Sequence, residues 1–193
     1  DYVHRKATSI QSKRFMYDNY TELIADGLTR GVTLRDAYIL VLREPSRNAI
    51  FPVLISETDF QTLKDAMTKG DFTASRLMTA LARKMEMIVL GVRLLPPQSG
   101  RTQALIDFER YGELLTLETD IAAAVVAAME NHVSIWIKDE QFSRQTQMPH
   151  DEGAMALPIG GMNDMLLTDV MQAAVEQDNF ELAQMIRDEL THR

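Results

Sequence analysis

The chain reads as an α+β protein: a mostly antiparallel sheet with helices packed on it, followed by a separate helical hairpin. Three observations predict this class. Short runs of strand formers meet at turn signals, as in Ala37–Leu42, Pro45-Ser46-Arg47-Asn48 and Ala49–Ile55. Helix-periodic segments with capping residues are grouped between such runs instead of alternating with each one. Two amphipathic stretches close the sequence, beyond a segment rich in polar, Gly and Pro positions.

Residues 1–20 are polar and carry Arg5, Lys6, Lys13 and Arg14, which predicts a solvated N-terminal extension. A compact domain is expected over 21–142. Glu22–Thr29 reads as a strand, and 37–55 as a β-hairpin. Pro52, which has no N–H for a ladder, places its strand at an edge or a bulge. Ser56 and Asp59 form a capping-box pattern for a helix that runs to about Lys69 and stops at Gly70. A second helix starts at Thr73, with Leu77, Leu81 and Met85 on one face. Met87–Leu95, Thr102–Phe108 and Glu113–Leu117 read as strands. Pro96–Gly100 and Tyr111-Gly112 are the turns between them. Asp120–Met129 is so rich in Ala and Val that it predicts a helix buried on most sides. Val133–Ile137 is the last strand and holds the only Trp, Trp136. Residues 143–165, with Pro158-Ile159-Gly160-Gly161, read as a linker.

The final segment, 166–193, predicts a helical hairpin. Leu166, Val170, Ala173, Ala174 and Val175 recur at helical spacing. Phe180, Ala183, Ile186 and Leu190 do the same after the break at Gln177-Asp178-Asn179, where Asp178 or Asn179 suits an N-cap. Glu181 then stands near the positive helix start. Two helices of this size do not bury both apolar faces alone, so the hairpin is expected to pack on something else.

Bulk properties narrow the function. The chain has 193 residues, 46% hydrophobic content, a formal net charge of -8 and no cysteine. A broad nucleic-acid surface is disfavoured by that charge, and disulfides and thiolate metal sites are excluded. No apolar run approaches a membrane span, so no membrane partner and a cytoplasmic location are expected. Twelve Met residues suit gap-filling in the interior. His4, His132, His150 and His192 are scattered without ligand spacing.

The run Met171-x-x-Ala174-Val175-Glu176-x-x-Asn179-Phe180-Glu181-x-Ala183-x-x-Ile186-Arg187-Asp188-Glu189-Leu190 resembles the UVR motif. That motif occurs in bacterial excision-repair nuclease subunits and in several Clp-type ATPases and their adaptors. The resemblance implies a hairpin that pairs with another UVR hairpin. Phe180, Ala183, Ile186, Arg187 and Leu190 are its expected contact residues.

A second resemblance covers residues 22–142. Ala37-Tyr-Ile-Leu-Val-Leu-Arg43-Glu44-Pro45 and Asn48-Ala-Ile-Phe51-Pro52-Val53-Leu54-Ile55-Ser56-Glu57 are similar to the bacterial bifunctional nuclease domain. The Ala-rich helix followed by Ser134-Ile135-Trp136-Ile137 is placed like that family's closing elements. The family's second helix opens on Thr-His-Asp, where this chain has Thr73-Ala74-Ser75. Its third opens on Ser-Asp, where this chain has Ala122-Ala123. Methyl groups neither ligate metal nor move protons. The resemblance also implies a dimer of the domain, with the run 37–42 beside an edge strand as its surface.

Metal-assisted phosphodiester cleavage needs converging carboxylates around a divalent ion. The acids left are Glu44, Glu57, Asp59, Glu118 and Asp120, of which the last four are the candidates for that role, although Glu57, Asp59 and Asp120 also suit helix starts. Arg43 and Arg47 are candidates for holding a phosphate, or for surface pairing with Glu44. The expected function is therefore a divergent, non-catalytic member of the bifunctional nuclease family that assembles with proteins through its UVR-like hairpin. A metal-dependent nuclease is the alternative, and Mg or Mn enters only with that alternative; otherwise no cofactor is expected. The expected partners are a second copy of the chain or another UVR-containing protein.

Overall fold

The computed structural model describes residues 16–30, 37–97, 102–145, 164–176 and 180–191. The expectations for 1–15, for the turn at 98–100, for the linker over 146–163 and for the Gln177-Asp178-Asn179 break and its cap lie outside these residues. So do His4, His150 and His192, and the side chains of Leu166, Ala173 and Glu181.

Seven strands form one sheet. They are β1 (Tyr20–Arg30), β2 (Tyr38–Glu44), β3 (Ala49–Ile55), β4 (Ile88–Leu94), β5 (Gln103–Arg110), β6 (Glu113–Asp120) and β7 (Ile135–Lys138), in the spatial order β3-β2-β1-β7-β4-β5-β6. Every pairing is antiparallel except β4 with β7, where Val92 stands beside Ile135. The sheet thus joins two three-stranded meanders through β7. Turn chemistry makes the tight hairpins. Tyr111 and Gly112 have φ of 53° and 84°, the two left-handed conformations that a two-residue hairpin turn requires. Pro52 lies in β3, an edge strand, as its missing N–H predicts.

One face of the sheet carries α1 (Glu57–Lys69), α2 (Thr73–Lys84) and α3 (Ile121–Asn131). The Ser56 hydroxyl accepts from the Asp59 amide at 3.1 Å and donates to the Asp59 carboxylate at 2.7 Å, and Gly70 ends α1 at φ 65°. Asp120 caps α3 by accepting from the Ala123 amide at 2.7 Å. Ile121, Ala122 and every residue from Ala124 to Ala128 are buried. Their short side chains let α3 lie close to the sheet and to both neighbouring helices, as the Ala-rich pattern predicts.

α2 departs from the ordinary rule for an amphipathic helix. Its apolar stripe faces outward, with Leu77 74% and Leu81 61% exposed, while Ser75, Thr79 and Ala82 are buried. The physical reason is a polar cluster. The Thr79 hydroxyl donates to Glu130 at 2.9 Å, and Asn131 Nδ2 donates to Thr79 Oγ1 at 3.0 Å. Hydrogen bonds to α3 therefore fix the inner side of α2 in place of leucine packing.

The domain extends beyond both expected boundaries. Tyr17, expected in a solvated extension, is buried. Residues 139–145 form a short helix, α4 (Asp139–Gln145), of which the last three positions were expected in the linker. Its Phe142 is buried in the core, with its ring centroid 6.1 Å from that of Phe51. The C-terminal hairpin consists of α5 (Asp164–Glu176) and α6 (Phe180–Thr191), which pack on each other. Among the described residues no helix is long and apolar enough to cross a membrane.

Candidate functional site

The C-terminal hairpin has two unlike faces. Leu167, Val170 and Ile186 are fully buried between the two helices, and Leu54 of β3 packs against them together with Met171 and Leu190. The hairpin is therefore seated on the outer side of the β3 edge. Ile39, the register partner of Leu54, is buried as well, and so is Val41. Other apolar residues of the hairpin are exposed. Val175 is 49%, Phe180 64% and Met185 58% exposed.

The five residues expected to contact a partner are thus divided. Ala183 and Ile186 are buried, Leu190 is half-buried beside them, and Phe180 and Arg187 are exposed. The 100° step of a helix explains the split. Ala183, Ile186 and Leu190 fall within roughly 60° of one another, whereas Phe180 lies roughly 90° from the middle of that arc. A spacing of three joins Phe180 to Ala183 in the sequence, but burial follows the whole arc.

The four candidate acids are not gathered. Glu57 and Asp59 follow β3, and Glu118 and Asp120 lie on β6, the strand at the opposite edge. Asp59 and Asp120 are engaged in the caps of α1 and α3, and Glu57 is exposed in the first turn of α1. Among the described residues no group of three or more His, Cys, Asp or Glu is placed to hold a metal ion.

The candidate phosphate-binding arginines both have carboxylate partners. Arg43 donates to Asp26, with Nε at 2.9 Å, from β2 to β1. Arg47 stands 3.5 Å from Glu44, as the surface-pairing alternative expects, although Glu44 itself is buried. Glu44 also accepts from the Ser46 hydroxyl, from the Ser46 amide at 3.1 Å and from the Arg47 amide at 2.6 Å. The Ser46 hydroxyl and these amides hold its carboxyl below the usual carboxylate range. In the run 37–42, expected as a dimer surface, every residue but the half-buried Tyr38 is buried. Leu40 and Leu42 face the core, and Ile39 and Val41 are buried on the other side.

Sequence reasoning missed a polar cluster on the outer face of β4, β5 and β7. Asp107 is fully buried. It accepts two bonds from Arg93 at 2.7 Å each, one from Tyr17 Oη at 3.2 Å and one from Thr116 Oγ1 at 3.0 Å. Tyr17 stacks on Trp136, with ring centroids 4.4 Å apart and planes 7° from parallel. Gly91 lies beneath this stack. A Cβ there would stand 2.7 Å from Tyr17 Oη and 3.0 Å from Trp136 Nε1, so only glycine fits. Burial, and then the Asp107 carboxylate, push the Tyr17 phenol well above its ordinary value. A phenol held protonated by a carboxylate that is itself fully hydrogen-bonded is a structural tie. The available signal was a lone acid in the apolar run Ala104–Phe108 and a lone Arg in Ile88–Leu94.

No protein-family model matches this chain, and no curated protein matches it.

Proposed function

We propose that this chain is a cytosolic assembly protein: a divergent, non-catalytic relative of the bifunctional nuclease domain that docks on another UVR-bearing protein through its C-terminal hairpin. The observation that carries this reading is the exposure of Val175, Phe180 and Met185 on a hairpin whose buried cluster is already packed on β3. An aromatic ring held in water on a short hairpin is a natural anchor for a partner's apolar pocket. Ile186 and Val170 hold the hairpin to its own sheet, and Phe180 meets the partner. The engagement of Asp59 and Asp120 as helix caps also supports a role without catalysis.

The test is calorimetric titration of the full chain with a purified UVR-bearing Clp-type ATPase, using wild type and Phe180→Asp. Binding by wild type and its loss in the variant is the expected result. Equal behaviour of the two proteins refutes docking through this face. The competing nuclease reading is tested separately with DNA and RNA in Mg or Mn. Cleavage that disappears in Glu57→Gln or Asp120→Asn would establish it.

A further inference from the structure

Among the described residues Leu77 is the most exposed large hydrophobic residue, at 74%. It stands in a row on α2 with Leu81 and Met85, 61% and 45% exposed. The row steps by four residues, or about 6 Å along the helix. Single exposed leucines are ordinary on a protein surface, but a row at this step is a ridge of the kind a second helix packs against. The outward setting is fixed from inside. Thr79 donates to Glu130 and Asn131 donates to Thr79, so turning the leucines inward would break both bonds.

The charges on α2 are of one sign. Thr73–Lys84 contains Arg76, Arg83 and Lys84 and no acid, within a chain of net charge -8. All three bases are exposed. At 100° per residue Lys84 falls roughly 20° from Leu77, and Arg76 and Arg83 line one flank of the row, roughly 100–120° from it. Arg76 lies over the Phe72 ring, and among the described residues neither Arg83 nor Lys84 forms an ion pair. Asp71 and Glu86 lie beyond the two ends of the helix, and Asp71 accepts from the amide and hydroxyl of Thr73.

We propose that α2 is a docking surface for an acidic amphipathic helix of another protein. The apolar stripe of that helix lies along Leu77, Leu81 and Met85, and its Asp or Glu residues meet Arg83 and Lys84. Charge complementarity selects this occupant. A second copy presenting the same face would set bases against bases, because α2 has no acid to answer them. An anionic membrane is a poorer match. It is an extended surface that meets the field of the whole molecule, which is negative, and two leucines and a methionine supply little area for insertion. A single acidic helix is narrow, and screening limits it to charges within about 8 Å at physiological salt. Along the row those charges are Arg83 and Lys84.

The face shares no residue with the C-terminal hairpin, so its test is independent of docking through Phe180. The probe is a synthetic helical peptide with Leu at every third or fourth position and Glu beside them, and its control carries Lys for every Glu. Binding of each to the full chain is followed by fluorescence anisotropy. Wild type should bind the Glu peptide at least about tenfold tighter than the Lys peptide. The difference should shrink at about 1 M salt, where screening acts within about 3 Å. Leu77→Asp/Leu81→Asp should abolish binding, and its circular dichroism should match wild type because both leucines are exposed. Arg83→Glu/Lys84→Glu should invert the preference and bind the Lys peptide. Phe180→Asp should bind as wild type does. No binding by wild type, equal binding of the two peptides, or unchanged binding in Leu77→Asp/Leu81→Asp would each overturn the proposal. A wild-type dimer that Leu77→Asp/Leu81→Asp dissolves would give the face to a second copy. Retention on phosphatidylserine vesicles that the same variant loses would give it to a membrane. Either result also overturns the proposal.

Discussion

The β3 and β6 edges belong to the same sheet yet meet their surroundings in different ways. Outside β3 the chain stacks apolar matter: Leu54 and Ile39 sit on a side that the hairpin covers with Leu167, Val170 and Ile186. Next to β6 the outer face is polar, and Thr116 donates to the buried Asp107, while among the described residues most of β6 is exposed. The difference shows that an edge is stabilised either by covering it or by tying the strand beside it. The first route depends on the C-terminal segment of the chain, and the second on an ion pair between neighbouring strands.

Removing the tie tests the comparison most severely. Asp107→Ala leaves Arg93 without its carboxylate in a setting where Asp107 is fully buried. Breaking such a pair costs roughly 3–5 kcal/mol. Urea unfolding should show that loss for the whole domain, and a loss below about 1 kcal/mol would mean that the cluster is solvated and dispensable.

Removing the cover is the matching experiment at the other edge. Ile186→Ala deletes a fully buried side chain, a change worth roughly 2–5 kcal/mol. Its effect should be local. Hydrogen exchange should accelerate in 164–191 and in β3 while β4–β6 keep their protection. Uniform acceleration across the sheet would show that hairpin and domain unfold together.

Tyr17 sharpens the contrast through pH. Its phenol is raised in the folded state, so folded protein keeps a proton that the unfolded chain loses near pH 10. Its contribution is constant below about pH 10, and stability falls as pH rises beyond it. Tyr17→Phe keeps the ring on Trp136 but deletes the bond to Asp107, at a cost of about 1.5–3 kcal/mol at neutral pH. The alkaline slope of unfolding free energy should be shallower in Tyr17→Phe than in wild type. Identical slopes would remove Tyr17 from the tie.

The smallest effects are expected on the exposed surfaces. Phe180→Ala should change the stability of the free chain by no more than about 0.5 kcal/mol, since the residue is 64% exposed. A larger loss in denaturant unfolding would place Phe180 in the intramolecular packing with Ile186.

Local signals carried much of this architecture. The turn at 45–48, the Ser56/Asp59 cap, the stop at Gly70, the Tyr111-Gly112 hairpin and the Ala-rich helix all act over a few residues. Their physics is complete within that range: a hydroxyl reaches an amide three positions on, and glycine accepts a positive φ. The edge position of β3 was legible for the same reason, because Pro52 lacks a donor whatever surrounds it. The C-terminal hairpin was legible from its helical periodicity.

Tertiary structure decided which faces turned inward. The leucines of α2 obey a helical period as well as any buried stripe does, but Thr79 finds Glu130 and Asn131 on α3, and those bonds set the rotation of the helix. Phe180 and Ile186 belong to one periodic pattern, yet of the two only Ile186 enters the buried cluster on which Leu54 packs. Tyr17, Arg93 and Asp107 are far apart in the chain, and no spacing rule joins them. Their cluster exists because β4 and β5 pair in one register and Gly91 leaves room for a ring. The sequence by itself determined most of the elements, the ends of the capped helices and the edge position of β3, since those follow from dihedral limits and short-range hydrogen bonds. Only the fold determined burial, the pairing of distant charges and the helix at 139–145, since those depend on what the rest of the chain brings alongside.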